Sequence, residues 1–173
     1  MLINQLKIND NKTEIVIIGS RQQLSKLPDI HIKIGSINVQ PIDTVTNLGV
    51  TLDSKMTMNN HINRVCRNAN YQLIKIRQLR QYLTKHSTET IVHAFITSTL
   101  DYCNSIYYNL PNKQLNKLQK IQNHSARIIT KKRKYDHITP VLKSLHWLPI
   151  KQRIIFKVAI LTFKTLNGLA PNY

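Results

Sequence analysis

The hydrophobic period of the chain changes once, at about Thr57, and that change limits what each part can fold into. Before it, apolar residues alternate with polar ones: Leu6 and Ile8, then Ile30, Ile32 and Ile34, then Ile37 and Val39. A period of two sends successive side chains to opposite faces of a strand. Gly35 and Ser36 mark a tight turn between two of these runs, so residues 30–39 predict a hairpin. Asn9, Asp10 and Asn11 predict a turn. The β-branched run 14–18, closed by Gly19 and Ser20, predicts a strand, and so does 45–52, which contains Gly49.

Beyond Thr57 the period becomes helical. Ile62, Val65, Ala69, Leu73, Ile76 and Leu83 share one face, and Arg64, Arg67, Tyr71, Lys75 and Gln78 share the opposite one. Arg80 breaks the pattern by landing on the apolar side. A second helix is expected from Ser87 as N-cap, with Glu89 in its first turn, to about Tyr107. A third follows Pro111, with Leu115, Leu118, Gln122, Ser125, Ala126 and Ile129 facing inward. Thr139 and Pro140 predict the N-cap and first position of a short helix ending near Trp147. Pro149 separates it from 150–166, apolar on all sides except an edge of Arg153, Lys157 and Lys164. A helix of that composition is expected to be buried, with Asn167 and Gly168 ending it and Pro171 beyond. The expected fold class is α+β: a small antiparallel β piece over residues 1–56, then a mainly α-helical bundle over 57–173. A lone hairpin is marginal, so the first 55 or so residues are expected to be less ordered than the helices.

Charge divides in nearly the same place. Twenty-five Lys and Arg face eight Asp and Glu, a formal net charge of +17. Residues 1–59 hold six basic and five acidic residues; residues 60–173 hold nineteen basic residues against Glu89, Asp101 and Asp136. Such an excess concerns partners more than fold, and the expected partner is RNA or DNA. No run approaches the ~20 apolar residues that cross a bilayer, so no membrane role is expected. The N-terminus has no secretory h-region. Cys66 and Cys103 have neither zinc-ligand nor redox-pair spacing. An intracellular location, cytoplasm or nucleus, is expected.

The excess has a pattern. Lys113, Lys117, Lys120, His124, Arg127 and Lys131 step four, three, four, three and four residues along one face of the third helix. The row would span roughly 27 Å. Lys131, Lys132, Arg133 and Lys134 extend it, and Arg64, Arg67 and Lys75 add to it from the first helix. Like charges at this spacing repel, and a row of them gains from phosphates, which release counterions on neutralisation. The competing readings are a solvated helix face and, for the four-residue run, a loop or a nuclear-localisation patch. Tyr71 and Tyr135 sit among these cations, where they would stack on bases or pack inward.

The sequence offers no catalytic constellation. The seven histidines do not converge on a metal motif, and no Gly-rich phosphate loop or nucleophile elbow occurs. Two-metal phosphoryl transfer needs clustered carboxylates, and no two acids are adjacent. Asp43 and Asp53 are isolated beside a strand or turn, where capping is the usual role. No metal or other cofactor is expected for the chain by itself.

Several spaced motifs nevertheless carry a family resemblance. L-D-Y-C-N-S-I-Y-Y-N-L-P from Leu100 is followed by K-L-Q-K-I-Q-N-H-S-A-R-I from Lys117 and H-I-T-P-V-L from His137. L-H-W-L-P-I-K-Q-R-I from Leu145 and F-K-T-L-N-G-L-A-P-N-Y from Phe163 complete the series. In this order they resemble the post-palm region of LINE-type (non-LTR, jockey-like) retrotransposon reverse transcriptases. L-K-I-N-D-N-K-T-E-I-V-I-I-G from Leu6 resembles the stretch just after the catalytic Asp-Asp, with Lys12 matching a lysine near the incoming nucleotide's phosphates. N-L-G-V-T-L-D from Asn47 resembles the strand turn that supports the primer end, through Leu48 and Gly49.

The resemblance implies the end of a polymerase palm followed by a thumb-like region that holds the template–primer duplex by its backbone. It places the aromatic-x-Asp-Asp motif upstream of Leu2, so the chain is expected to be a fragment unable to polymerise on its own. The intact family enzyme would need a divalent metal, expected to be magnesium. A second reading is a domesticated helical protein-interaction module. A third is a polymerase completed in trans by the missing upstream segment, disfavoured because a split palm exposes strand edges.

Overall fold

The structure is a computed structural model that describes residues 9–35 and 37–171. Leu6, Ile8 and Ser36 lie outside the described residues. The chain is α+β, and it divides into two compact units between His61 and Ile62.

The first unit holds two antiparallel two-stranded sheets. β1 (Ile32–Ile34) pairs with β2 (Ile37–Val39), with Ile34 opposite Ile37, as the alternation predicts. β3 (Thr44–Asn47) pairs with β4 (Val50–Asp53). The single strand expected over 45–52 is therefore a hairpin. Asn47 faces Val50, and both residues of its two-residue turn have positive φ, Leu48 at 45° and Gly49 at 79°. Two left-handed residues match the twist of the flanking strands. Leucine in place of the usual Asn hid the turn.

The strand expected over 14–18 is reduced to one bridge between Ile15 and Pro41, where the Ile42 N–H donates to the Ile15 carbonyl at 2.8 Å. Proline lacks the N–H a ladder requires, so pairing goes no further. The short α1 (Arg21–Leu24) follows it. Ser20 and Gln23 close a capping box there, each side chain accepting the other's backbone N–H. The S-x-x-Q signal at Ser20 is plain once sought.

Asp53 holds the end of this unit. Its carboxylate accepts the N–H groups of Lys55, Thr57 and Met58 at 3.2, 2.9 and 2.8 Å, and the Thr57 hydroxyl at 3.2 Å. These bonds stabilise a turn in which Met56 and Met58 both have positive φ. Partial burial alone would raise the Asp53 pKa, but the backbone and hydroxyl donors outweigh it and hold the carboxyl below its ordinary value. α2 (Asn59–Leu79) starts directly after, and Nδ1 of the buried His61 accepts the Thr51 N–H at 3.2 Å.

In the second unit α2 buries Ile62, Val65, Ala69, Leu73 and Ile76 of the predicted apolar face; Leu83, the last residue assigned to it, lies past the helix end in extended backbone and is half-buried. α3 (Lys85–Val92) begins one turn earlier than expected. Its N-cap is Thr84, whose hydroxyl accepts the Ser87 N–H at 3.0 Å, so Ser87 is the donor inside the helix and Glu89 falls beyond the first turn. α3 passes through a π-helical segment (His93–Thr97) into α4 (Ser98–Asp101), where the helix stops short of Tyr107. Cys103, at φ 50°, turns the chain into a 3-10 helix (Asn104–Tyr107).

α5 (Asn112–Thr130) is the hub. It buries Leu115, Leu118, Ile121, Gln122, Ser125, Ala126 and Ile129, and packs against α3, the π segment, α6 and α7. α6 (Ile138–Ser144) is capped by His137, so Thr139 and Pro140 sit at its second and third positions. Proline is tolerated there because first-turn N–H groups have no helical acceptor. α7 (Ile150–Leu166) is anchored by two glutamines of α5. The Gln119 Oε1 accepts the Ile150 N–H at 2.8 Å, and the Gln122 Nε2 donates to the Leu148 carbonyl at 2.9 Å. Arg153 pairs with Asp101 at 2.8 Å. Burial pushes the Asp101 carboxyl up despite that guanidinium, so the pair fixes geometry more than it adds stability.

Two expectations change here. α7 is not buried all round: Ile150 and Ile154 are buried and Val158 and Ile160 half-buried, but Phe156 is 57%, Phe163 60% and Leu166 80% exposed. Only its first turns are pinned, and no described element covers the rest. Arg80, the misfit on the apolar face, has a structural duty. Its Nε and Nη2 donate to the carbonyls of Ile128 and Ile129 at 2.9 Å each, and its Nη1 to the Leu83 carbonyl at 2.7 Å. It thus satisfies the last turn of α5, whose carbonyls have no helical donor.

Three outcomes are expected. Arg80→Ala should destabilise the helical unit by about 3 kcal/mol in urea unfolding, since charge-assisted bonds to part-buried carbonyls are lost; Arg80→Lys should recover only part, lacking the fork. Asp53→Ala should cost the first unit about 1 kcal/mol at neutral pH. Because the folded Asp53 pKa is depressed, its contribution is complete above the ordinary value of 3.8 and is lost as pH falls through the lower folded value. A stability difference between wild type and Asp53→Ala that persists in strong acid would contradict this. Amide exchange should be faster in β1–β4 than in α5, because short hairpins bury little.

Candidate nucleic-acid interface

The regular spacing along α5 conceals two kinds of cation. Lys113, Lys120 and Lys131 are exposed, as is His124. Lys117 is half-buried, and its Nζ donates to the Asn63 Oδ1 of α2 at 2.7 Å. Arg127 is half-buried too: its Nη2 reaches the Asp136 carbonyl at 3.4 Å, and its Nε is buried without a hydrogen-bond partner. Both tie α5 to its neighbours, so the continuous phosphate-facing row is interrupted at these two positions. Periodicity sets the phase of a side chain, but only packing decides whether a neighbour lies against it.

From α2, Arg67 and Lys75 are exposed and Arg64 is half-buried. The Lys75 Nζ lies 4.2 Å from the centroid of the exposed Tyr71 ring, and the Lys134 Nζ 5.6 Å from that of Tyr135. Both rings thus face solvent among cations instead of packing inward.

The four-residue basic run is a loop. Lys131, at φ 54°, ends α5 in the left-handed conformation, and the Lys132 N–H returns to the Arg127 carbonyl at 3.2 Å. The Asp136 carboxylate then accepts the Arg133 N–H at 2.8 Å and holds the loop closed. Lys132, Arg133 and Lys134 remain exposed. Among the described residues the ion pairs are Asp101–Arg153 and Glu89–His93, at 2.8 and 3.8 Å. None of the exposed cations of α5 and its loop has a carboxylate partner. Burial, and then the charges of Arg127, Lys120 and Lys134, push the His124 imidazolium down from its ordinary value.

α2 and α5 run in the same direction, tied at one end by Asn63–Lys117 and at the other by Arg80. Between their C-terminal turns lies a groove of about 630 Å³. Arg127, Lys131, Lys132 and Lys134 come together on it, joined by Arg77 and Ile74, which the helical pattern did not single out. Ile74 lies off the apolar stripe, one turn before Arg77 and Gln78. An isoleucine on the polar face was the available signal.

The residues singled out by resemblance belong to the first unit. Lys12 is exposed at the end of a 3-10 helix (Asp10–Lys12), and Leu48 and Gly49 form the exposed tip of the β3–β4 hairpin. Asp53 spends its carboxylate on backbone donors, and no group of three or more His, Cys, Asp or Glu among the described residues is placed to hold a metal ion. No helix among them is long and apolar enough to cross a membrane. The chain matches no protein-family model, no curated protein and no solved structure.

Proposed function

We propose that the chain binds nucleic acid through the sugar–phosphate backbone, as the palm-to-thumb part of a LINE-type reverse transcriptase that does not polymerise by itself. The observation that carries the reading is the set of exposed cations from Lys113 to Lys134, unpartnered by carboxylates. Such a surface is repelled by itself and neutralised by phosphates. The ordered motifs from Leu100 to Tyr173 supply the family, and the template–primer duplex is the ligand that family would present. Backbone contacts position a duplex without reading its sequence, so RNA and DNA of any sequence would serve. Completion by an upstream polymerase segment would be needed for synthesis.

One observation favours the second reading, a helical protein-interaction module: the outward-facing Phe156, Phe163 and Leu166 of α7. Contiguous exposed apolar surface commonly marks a protein interface. The two readings differ in their response to salt.

A gel-shift titration of duplex across salt concentrations is expected to give a steep log–log slope, about −0.9 for each phosphate contact. Changing Lys113, Lys120, Lys131 and Lys132 together to Gln should make that slope shallower by roughly 3.6 while leaving the far-ultraviolet circular dichroism unchanged. These four are preferable to Lys117 and Arg127, whose loss would also disturb packing. Unaltered affinity in the quadruple variant would overturn the reading. Salt-insensitive association with a protein, without nucleic-acid binding, would support the second.

A further inference from the structure

The groove between α2 and α5 is more than a row of charges. Its aliphatic lining is Leu73, Ile74 and Ile128; Leu73 is buried and Ile128 half-buried, so the free apolar surface is mainly that of Ile74, 59% exposed although it stands on the polar side of α2. Its rim carries Arg77, Lys131, Lys132 and Lys134, and no carboxylate lines it. Arg80 and Arg127 also line it, but both are bonded to backbone carbonyls and act as wall.

A continuous duplex has little use for that floor, because its bases are stacked inside and it presents phosphates. An unpaired base does have use for it: a flat group whose faces lose water against leucine and isoleucine, flanked by anions. The volume, about 630 Å³, lies in the range of small-ligand sites. It suits one such group better than the elongated apolar face of an acidic helix, which needs anchors spread over several turns.

We propose that this groove receives one unpaired nucleotide of a single strand, with its base on Leu73, Ile74 and Ile128 and the adjoining phosphates on Arg77, Lys131, Lys132 and Lys134. The proposal rests on the nucleic-acid reading above and adds a preference: strands with exposed bases bind more tightly than closed duplex.

The test uses the full chain and fluorescence anisotropy at moderate salt with three probes of equal length. They are oligothymidylate, an abasic deoxyribose-phosphate strand with the same phosphates, and a duplex closed at both ends by abasic loops. Oligothymidylate is expected to bind about ten-fold more tightly than the abasic strand, the worth of a modest apolar area removed from water. Ile74→Ser should abolish that difference and leave abasic and duplex affinities unchanged; the exposure of Ile74 keeps folding out of the comparison. Equal affinity for oligothymidylate and abasic strand in the wild type would overturn the groove proposal and leave backbone binding intact. No binding to any probe would overturn the nucleic-acid reading itself. Ile74-dependent capture of an acidic amphipathic peptide, without a base-dependent difference, would overturn the groove proposal and assign the groove to a protein partner.

Discussion

Satisfying the C-terminal carbonyls of α5 is the constraint on which the helical unit depends. The helix buries one face against α3, α6 and α7 and presents cations on the other, so its last turn ends between a packed interior and a charged surface. Water cannot reach all of those carbonyls, and a buried one left bare costs on the order of 1–3 kcal/mol. Arg80 reaches across from the end of α2 and donates to two of them, while Lys131 and Lys132 turn back onto a third. A guanidinium suits this place because its donors diverge in a plane and its charge complements the negative end of the helix dipole. The same contact fixes where α2 ends beside α5, and so sets the width of the groove between them.

Seen from that contact, the cations of the unit divide by duty. Arg80, Arg127 and Lys117 hold elements together through carbonyl and amide oxygens, and Arg153 does so through Asp101. Lys113, Lys120 and the loop from Lys131 to Lys134 do not. The second group keeps its charge available, and the first keeps its neighbours in register. A chain this basic folds because its interior cations bind oxygen atoms of the backbone and side-chain amides more than carboxylates.

Much of this was legible in the sequence, and the failures share a cause. The switch from strand to helix, the apolar face of α2 and the inward face of α5 follow from periodicity, which reflects burial averaged over several residues; the bounds of α7 follow from Pro149 before it and Asn167 and Gly168 after it. Alternation alone joins 45–52 into one strand, because backbone sign is a single-residue property that leucine rarely signals; the turn at Leu48 and Gly49 is implied only by the resemblance. Thr84 was passed over for Ser87 because both can cap and only the surrounding geometry chooses. The run 14–18 has the composition of a strand but meets Pro41 where its ladder would continue. Arg80 looked like an error in the pattern because its partners, Ile128 and Ile129, lie far along the chain. Ile74 and Arg77 were invisible for the same reason: a groove belongs to two helices, and neither sequence segment contains it alone.

The uncovered aromatic half of α7 gives the surplus of positive charge another role. Identical copies that each expose Phe156 and Phe163 would adhere through those rings if they met. A net charge of +17 keeps them apart at low ionic strength. Dissolved ions shorten the reach of that repulsion to roughly 8 Å under physiological conditions, about the scale of one side chain and its hydration. Screening therefore lowers the electrostatic barrier between two such apolar faces.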